Sequence, residues 1–302
     1  MNQKINVYQL VTDKIVAQLQ QGIIPWQMPW KSNANPNLAM NYVTRKTYSF
    51  LNQFLLGWRG GEYVTFNQTQ QLGGKIKKGS KAQMVVFFTM QTYKTKRKVK
   101  DTQESEIREE EVEISIPVLR YYNVFHIADC EGIESKLEEK EEPKETQLEP
   151  IESAEKIIND YVSREKDFGF RNNVFSNHAF YSPAEDIVTV PMLSQYKISE
   201  EYYSTAFHEL VHSTGHPKRL NREDNKKVAA FGSDDYSREE LVAEIGSAML
   251  CSYCGIDCEK AFTNSVAYIQ GWLSILKNDN RMIVWASSRA EKACDYILGK
   301  NE

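Results

Sequence analysis

The sequence predicts an α+β protein of two domains, a basic N-terminal domain carrying a long β-hairpin and a helix-rich C-terminal domain. Strand-like runs gather in the first half of the chain, and helical periodicity dominates from Glu200 onward, the segregation that marks α+β folds. Charge divides along the same line. Residues 1–100 carry 15 Lys/Arg against Asp13 and Glu62, a balance of +13, while the remaining 22 basic and 39 acidic residues give −17. The total of −4 thus averages two unlike parts, which points to a polyanion-binding part joined to one with a different task. With 302 residues, 41% hydrophobic and 26% charged, the composition excludes a disordered, collagenous or disulfide-stapled protein.

Residues 5–21 place Ile5, Tyr8, Leu10, Val11, Ile15, Val16 and Leu19 at helical spacing, and Gly22 and Pro25 stop the pattern. An aromatic, proline-punctuated loop follows at 25–30. Residues 65–71 predict a short helix ending at Gly73-Gly74, and the basic turn 75–81 leads into a strand rich in Val and Phe over 83–93. A second strand pattern at 112–127 completes the hairpin across a charged arm, in which basic 94–100 can face acidic 104–113. The run 131–150 holds eight Glu, three Lys and two Pro with almost nothing to bury. It predicts an acidic linker between domains at 1–130 and 151–302. Beyond it come a helix at 152–164 and a strand pattern within 178–190, ending at Pro191.

No stretch reaches the ~20 apolar residues that span a bilayer, and the polar start has no signal-peptide core, so a cytoplasmic protein without membrane contact is expected. Five Cys do not make a disulfide framework. Cys251, Cys254 and Cys258 continue the apolar face of one helix, with no second C-x-x-C, and are read as packing residues.

Three of the five His fall in FHELVHSTGH at 207–216. On a helix the four-residue step brings His208 and His212 to one face, a turn apart, where both can bind one ion. Glu209 follows directly, placed to take a proton from an activated water. This is the H-E-x-x-H pattern of zinc peptidases. Imidazole nitrogens suit Zn²⁺, and a catalytic site keeps one position for water, whose pKa the ion lowers toward ~7. Phe207, Leu210 and Val211 fill the other helical faces, and Gly215 offers a stop. The third ligand is read as Glu240, on a helix at 238–250 where Gly246 and Ala248 allow close packing. Glu244, on the same face, then orients a His through its free ring nitrogen; the reverse assignment stays open. His216 is a rival ligand, but the longer pattern H-E-x-x-H-x-x-G-x-x-H matches only through Gly215 and meets Lys218 where it needs His.

Residues 1–100 also hold thirteen aromatics. Interleaved cations and rings suit single-stranded nucleic acid, because cations track phosphates while rings stack on unpaired bases at ~1–3 kcal/mol each. The candidates are Trp26, Trp30, Arg45, Lys46, Lys75, Lys77, Lys78 and Lys81. The last four lie in GGKIKKGSK at 73–81, where glycines let the backbone approach a phosphate.

The whole chain resembles the ArdC-type antirestriction proteins of conjugative plasmids and other mobile elements. The resemblance rests in the first domain on VY at 7–8, GIIPW at 22–26, PW at 29–30, Asn52, LGG at 72–74, KG at 78–79 and PVLRYYNVF at 117–125. In the second it rests on AFYSP at 179–183, the segment 207–216 with RLN at 219–221, FGS at 231–233, residues 239–250 and KACDYI at 292–297. Where the family commonly has glycine, this chain has Arg45 and Phe50. The resemblance implies a cytosolic protein with a single-stranded-DNA-binding N-terminal domain and a zincin-like metallopeptidase domain that shields incoming DNA from host restriction. Which protein the peptidase cleaves does not follow from it. Two other readings are a DNA-coating protein whose metal is structural, and a regulatory metallopeptidase that cleaves a DNA-associated repressor.

Overall fold

The computed structural model describes residues 6–26, 38–100, 107–137, 150–222, 234–257 and 266–300. Helix α1 (Val7–Leu19) follows the expected periodicity, and Asn6 caps it by accepting the Gln9 N–H at 3.3 Å. Four strands form the first sheet, in the order β1 (Ala39–Asn41), β2 (Gly61–Thr65), β5 (Ile107–His126), β4 (Gln83–Lys100). Helix α2 (Phe50–Leu55) covers the free edge of β4. There the Asn52 amide donates to the Val86 carbonyl at 2.9 Å and accepts the Val86 N–H at 2.8 Å, replacing a missing strand. Helix α3 (Phe66–Gln71) forms at its expected place, started by a capping box between Thr65 and Gln68. The basic turn then opens with β3 (Lys75–Ile76), which pairs with β6 (Cys130–Glu131).

The hairpin is longer than either strand pattern predicted, because its charged arm is paired rather than looped. Register runs unbroken from Gln83 opposite Val124 to Lys100 opposite Ile107. The Cα register sets Lys94 opposite Glu113, Lys96 opposite Glu111, Arg97 opposite Glu110 and Lys98 opposite Glu109. Lys94 is matched there by Glu113, 3.8 Å away.

Arg45 explains why glycine is common at its position in the resembled family. Its φ is +58°, in the left-handed region, which costs a side chain of this kind ~1–2 kcal/mol. The compensation is an ion pair with the carboxylate of Glu62, a fully buried residue that also accepts from Ser135 Oγ at 2.8 Å and the Lys136 N–H at 2.9 Å. A hydrogen bond to a charged group contributes ~1.5–3 kcal/mol, so Arg45→Gly is expected to lower stability slightly despite relieving the backbone. Urea unfolding checks this, and a stabilised variant would show that the backbone cost outweighs the pair.

Two boundaries differ from the expected domain plan. Within the expected linker, β6, Ile133, Ser135 and Lys136 pack with the first half of the chain, Ile133 against the cluster of Ile127 and Cys130. Residues 138–149 lie outside the described residues, and helix α4 (Pro150–Arg164) already opens at 150. Charge marks the passage between domains, whereas the apolar core does not stop there. Helix α1 packs on α7 (Val266–Asn278) and α8 (Met282–Ile297), and α2 packs on α8. Thr12 donates to the Asn280 carbonyl at 2.8 Å, and one buried cluster joins Val11, Ile15 and Phe54 to Ala286 and Ala290.

The second half holds a three-stranded sheet ordered β7 (Gly169–Val174), β9 (Ile187–Pro191), β8 (Phe180–Ser182), with β7 parallel and β8 antiparallel to β9. The edge strand β7 has no sequence signal because its exposed Arg171, Asn172 and Asn173 are poor strand formers. Helix α5 (Ser199–Thr214) packs between β9 and α6 (Asp234–Cys254). Among the described residues no helix is long and apolar enough to cross a membrane.

Candidate metal centre

Helices α5 and α6 each bring two residues to their shared face through a four-residue step, His208 with His212 and Glu240 with Glu244. The Nε2 atoms of His208 and His212 stand 3.0 Å apart. The Glu240 carboxylate lies 3.4 Å from both, one oxygen toward each ring. Tetrahedral coordination with bonds of ~2.0–2.1 Å sets neighbouring donors about 3.3 Å apart, so these spacings fit one divalent ion with a fourth position left over. The donor atoms of His208, His212 and Glu240 all lie within 4.8 Å of one another.

Further carboxylates stand behind the rings. Glu244 Oε1 is 3.9 Å from His208 Nδ1, on the side of the ring that the sequence reading gave to a second carboxylate. Glu239 lies 3.5 Å from His212 Nδ1, a role that spacing alone does not single out. Arg222 holds Glu239 through two hydrogen bonds, that from Nε at 3.1 Å, and donates to Thr214 Oγ1 at 2.6 Å and the Val211 carbonyl at 2.8 Å. Both Glu239 and Arg222 are buried. Each ring thus has a carboxylate on its Nδ1 side, hydrogen-bonded in the case of His212. The only trace of this in the sequence is the doublet Glu239-Glu240.

The electrostatics favour positive charge at the centre. Burial pulls the His212 imidazole down, but hydrogen bonding to Glu239 and Glu240 outweighs it and raises the pKa to about 10. Burial likewise pulls His208 down, but the hydrogen bond to Glu240 and the nearby charge of Glu244 raise it overall. Burial would push Glu240 up, yet the two imidazoles hold it well below the usual carboxylate range, whereas burial pushes Glu244 up. A divalent cation supplies that positive charge once the rings are neutral. Glu209 is buried on α5, and no hydrogen bond or ion pair among the described residues engages its carboxylate.

The two helices can approach this closely because of Gly246. A methyl group there would meet Val211 Cγ2 at 2.7 Å. Overpacking costs ~1–3 kcal/mol against ~1 kcal/mol gained in helix propensity, so Gly246→Ala is expected to lower Tm in a thermal melt. A higher Tm would mean that Val211 can move aside without loss.

The remaining candidates are scattered. His216 faces Asp186, its Nδ1 3.8 Å from Oδ2, and not the three converging donors. Asp186 is held by Arg219 at 2.5 and 3.0 Å and by the Tyr181 hydroxyl at 2.8 Å, so this cluster ties the end of α5 to the β8–β9 turn. Trp26 requires correction as a base-stacking residue: it is fully buried, with its ring edge-on to Trp272 at 5.0 Å. Arg45 is drawn to Glu62, and Lys77 Nζ donates to the Ala128 carbonyl at 2.8 Å. Lys46, Lys75, Lys78 and Lys81 are exposed, while Trp30 lies outside the described residues. Cys251 and Cys254 are buried, as packing residues would be, and burial pushes the Cys254 thiol up to about 12; Cys258 lies outside the described residues.

Comparison with known proteins agrees with this architecture. Residues 160–289 match the zincin-like metallopeptidase family MPTase-PolyVal, and residues 5–125 match the N-terminal domain of anti-restriction factor ArdC. A DNA primase TraC of Escherichia coli is 31% identical over 99% of this chain, which spans only 20% of the primase's length. Crystal structures of the antirestriction protein ArdC from plasmid R388 superpose over nearly the whole of both chains. The metal-free form gives a TM-score of 0.66 at 29% identity, covering 97% of each chain. The Mn(II)-bound form gives 0.68 at 28%, covering 98% of each.

Proposed function

This chain belongs to the ArdC-type antirestriction family, with an ArdC N-terminal domain followed by a zincin-like metallopeptidase domain, and from that premise we propose that it binds single-stranded DNA and hydrolyses a protein found at or near it. The observation that carries the peptidase half is the convergence of His208, His212 and Glu240 at coordination spacing. In this reading those three residues hold Zn²⁺ in the cytoplasm, and Glu239 and Glu244 orient the rings. The bound ion supplies Lewis acidity, bringing a water's pKa toward ~7 and polarising a carbonyl. Glu209 takes the proton of the attacking water and returns it to the departing amine, as a general base and then a general acid. The exposed Lys46, Lys75, Lys78 and Lys81 supply contacts to DNA phosphates.

The experiment compares wild type with Glu209→Gln in cells receiving unmodified DNA. The peptidase reading expects a shortened host or element-encoded protein with wild type only, and protection that falls in the variant. Full protection by the variant would favour DNA coating with a structural metal. For the DNA half, affinity for a single-stranded oligonucleotide is expected to fall steeply with salt, because each Lys or Arg contact releases a counterion. A flat salt response, or equal affinity for duplex, would count against it.

A further inference from the structure

The hairpin carries a ring-bearing face that none of the assignments above uses. Cross-strand partners share a face, so Val85, Phe87, Thr89, Gln91 and Tyr93 line up beside Tyr122, Arg120, Val118, Ile116 and Ile114. Near the body of the sheet this face is covered: Val85 and Val124 are buried with Tyr48, Leu56 and Tyr63. Farther along, the cover ends, leaving Phe87 40%, Tyr122 41% and Tyr93 43% exposed. The rings form a row, with Phe87 5.9 Å from Tyr48 on one side and 5.9 Å from Tyr122 on the other.

Charge selects the occupant. From Gln83 to Thr95 and from Val112 to Val124 this face holds no acid, although the acidic residues of the arm begin just beyond it. It holds one cation, Arg120, directly opposite Phe87, whose guanidinium gives, among the described residues, a single hydrogen bond, to Gln91 Oε1 at 3.5 Å. Exposed Lys81 lies two residues before the strand begins. The opposite face differs, because its Lys94 already pairs with Glu113 at 3.8 Å. Rings spaced by Thr and Gln around an arginine, with no acid among them, match an unpaired strand, whose bases offer π faces and whose phosphates need a cation.

We propose that the hairpin face bearing Phe87, Tyr93, Arg120 and Tyr122 is the platform on which the bases of single-stranded DNA stack. This deepens the single-strand reading above and rests on it. The sheet presents the rings and Arg120 meets the phosphate between stacked bases, as in other sheets that bind unpaired bases through exposed aromatics.

The test uses the full chain and a fluorescent thymidine 20-mer followed by anisotropy. Tyr93→Ser and Tyr122→Ser, both at exposed positions, are each expected to weaken binding about tenfold, and Arg120→Gln to reduce the salt slope by about one contact. A 20-mer carrying 5-iodouracil should crosslink to peptides spanning 83–93 or 114–122, which locates the strand even if a variant folds poorly. Wild-type binding with unchanged affinity in both Tyr variants, or crosslinks only elsewhere, overturns the platform and leaves the single-strand reading standing. Absence of wild-type binding removes both. A dimer that the same substitutions dissolve, with DNA affinity unchanged, assigns the face to a second copy of this chain and also overturns the proposal.

Discussion

Replacing Glu209 by Gln is expected to leave zinc content at the wild-type level while reducing peptide hydrolysis by about 10²–10⁴-fold, the usual contribution of a positioned general base. Gln keeps the size of the side chain and removes only its ability to accept the proton of the attacking water. The proposed donors are His208, His212 and Glu240, which the substitution leaves in place. Because no ion pair among the described residues depends on the Glu209 carboxylate, thermal stability should also hold. Metal analysis beside a cleavage assay reads both quantities from one preparation. Hydrolysis equal to wild type would assign the base to another residue, and loss of zinc would place Glu209 among the ligands instead.

Removing Arg222 is expected to have the largest effect on stability. Arg222 and Glu239 form a buried pair, and burial that would raise the Glu239 carboxyl is outweighed by His212 and Arg222, which lower it. Arg222→Met leaves that carboxylate buried without its partner, a loss of ~3–5 kcal/mol, and also removes the bonds that close the end of α5. Replacing both residues, as Arg222→Met with Glu239→Leu, should recover much of the stability, since an apolar pair of similar volume carries no desolvation cost. It should not recover the metal. With nothing holding the His212 ring by Nδ1, zinc affinity should stay 10–100-fold weaker, measured by competition with a chromophoric chelator. A double variant with wild-type zinc affinity would reduce the pair to a structural clasp.

Much of the site was legible because its signals are local. His208, Glu209 and His212 fall within one turn of helix, where spacing dictates their relative direction. The short helix over 65–71 before Gly73-Gly74 and the stop at Gly22 are marked within a few residues, and the strands of the hairpin announce themselves by composition. Glu240 and Glu244 share a face by the same rule, which is why spacing leaves the choice between them open. Packing of α6 on α5 sets Glu240 beside both Nε2 atoms and Glu244 behind His208, which supports Glu240 as the proposed ligand. Glu239 escaped notice because its partners, His212 and Arg222, come from a different helix and from the chain after it.

By itself the sequence determined the α+β class, the long hairpin, the helical H-E-x-x-H pair and the division of charge. Tertiary structure decided what those parts meet. Trp26 turned out to be core because α1 and the loop after it pack on α7 and α8. Arg45 is drawn inward by Glu62, and 131–137 close onto the first sheet. Composition could not show this, because exposure is a property of neighbours brought together across more than 200 residues. A tryptophan in a basic segment has the same local chemistry whether it faces DNA or the inside of the next domain.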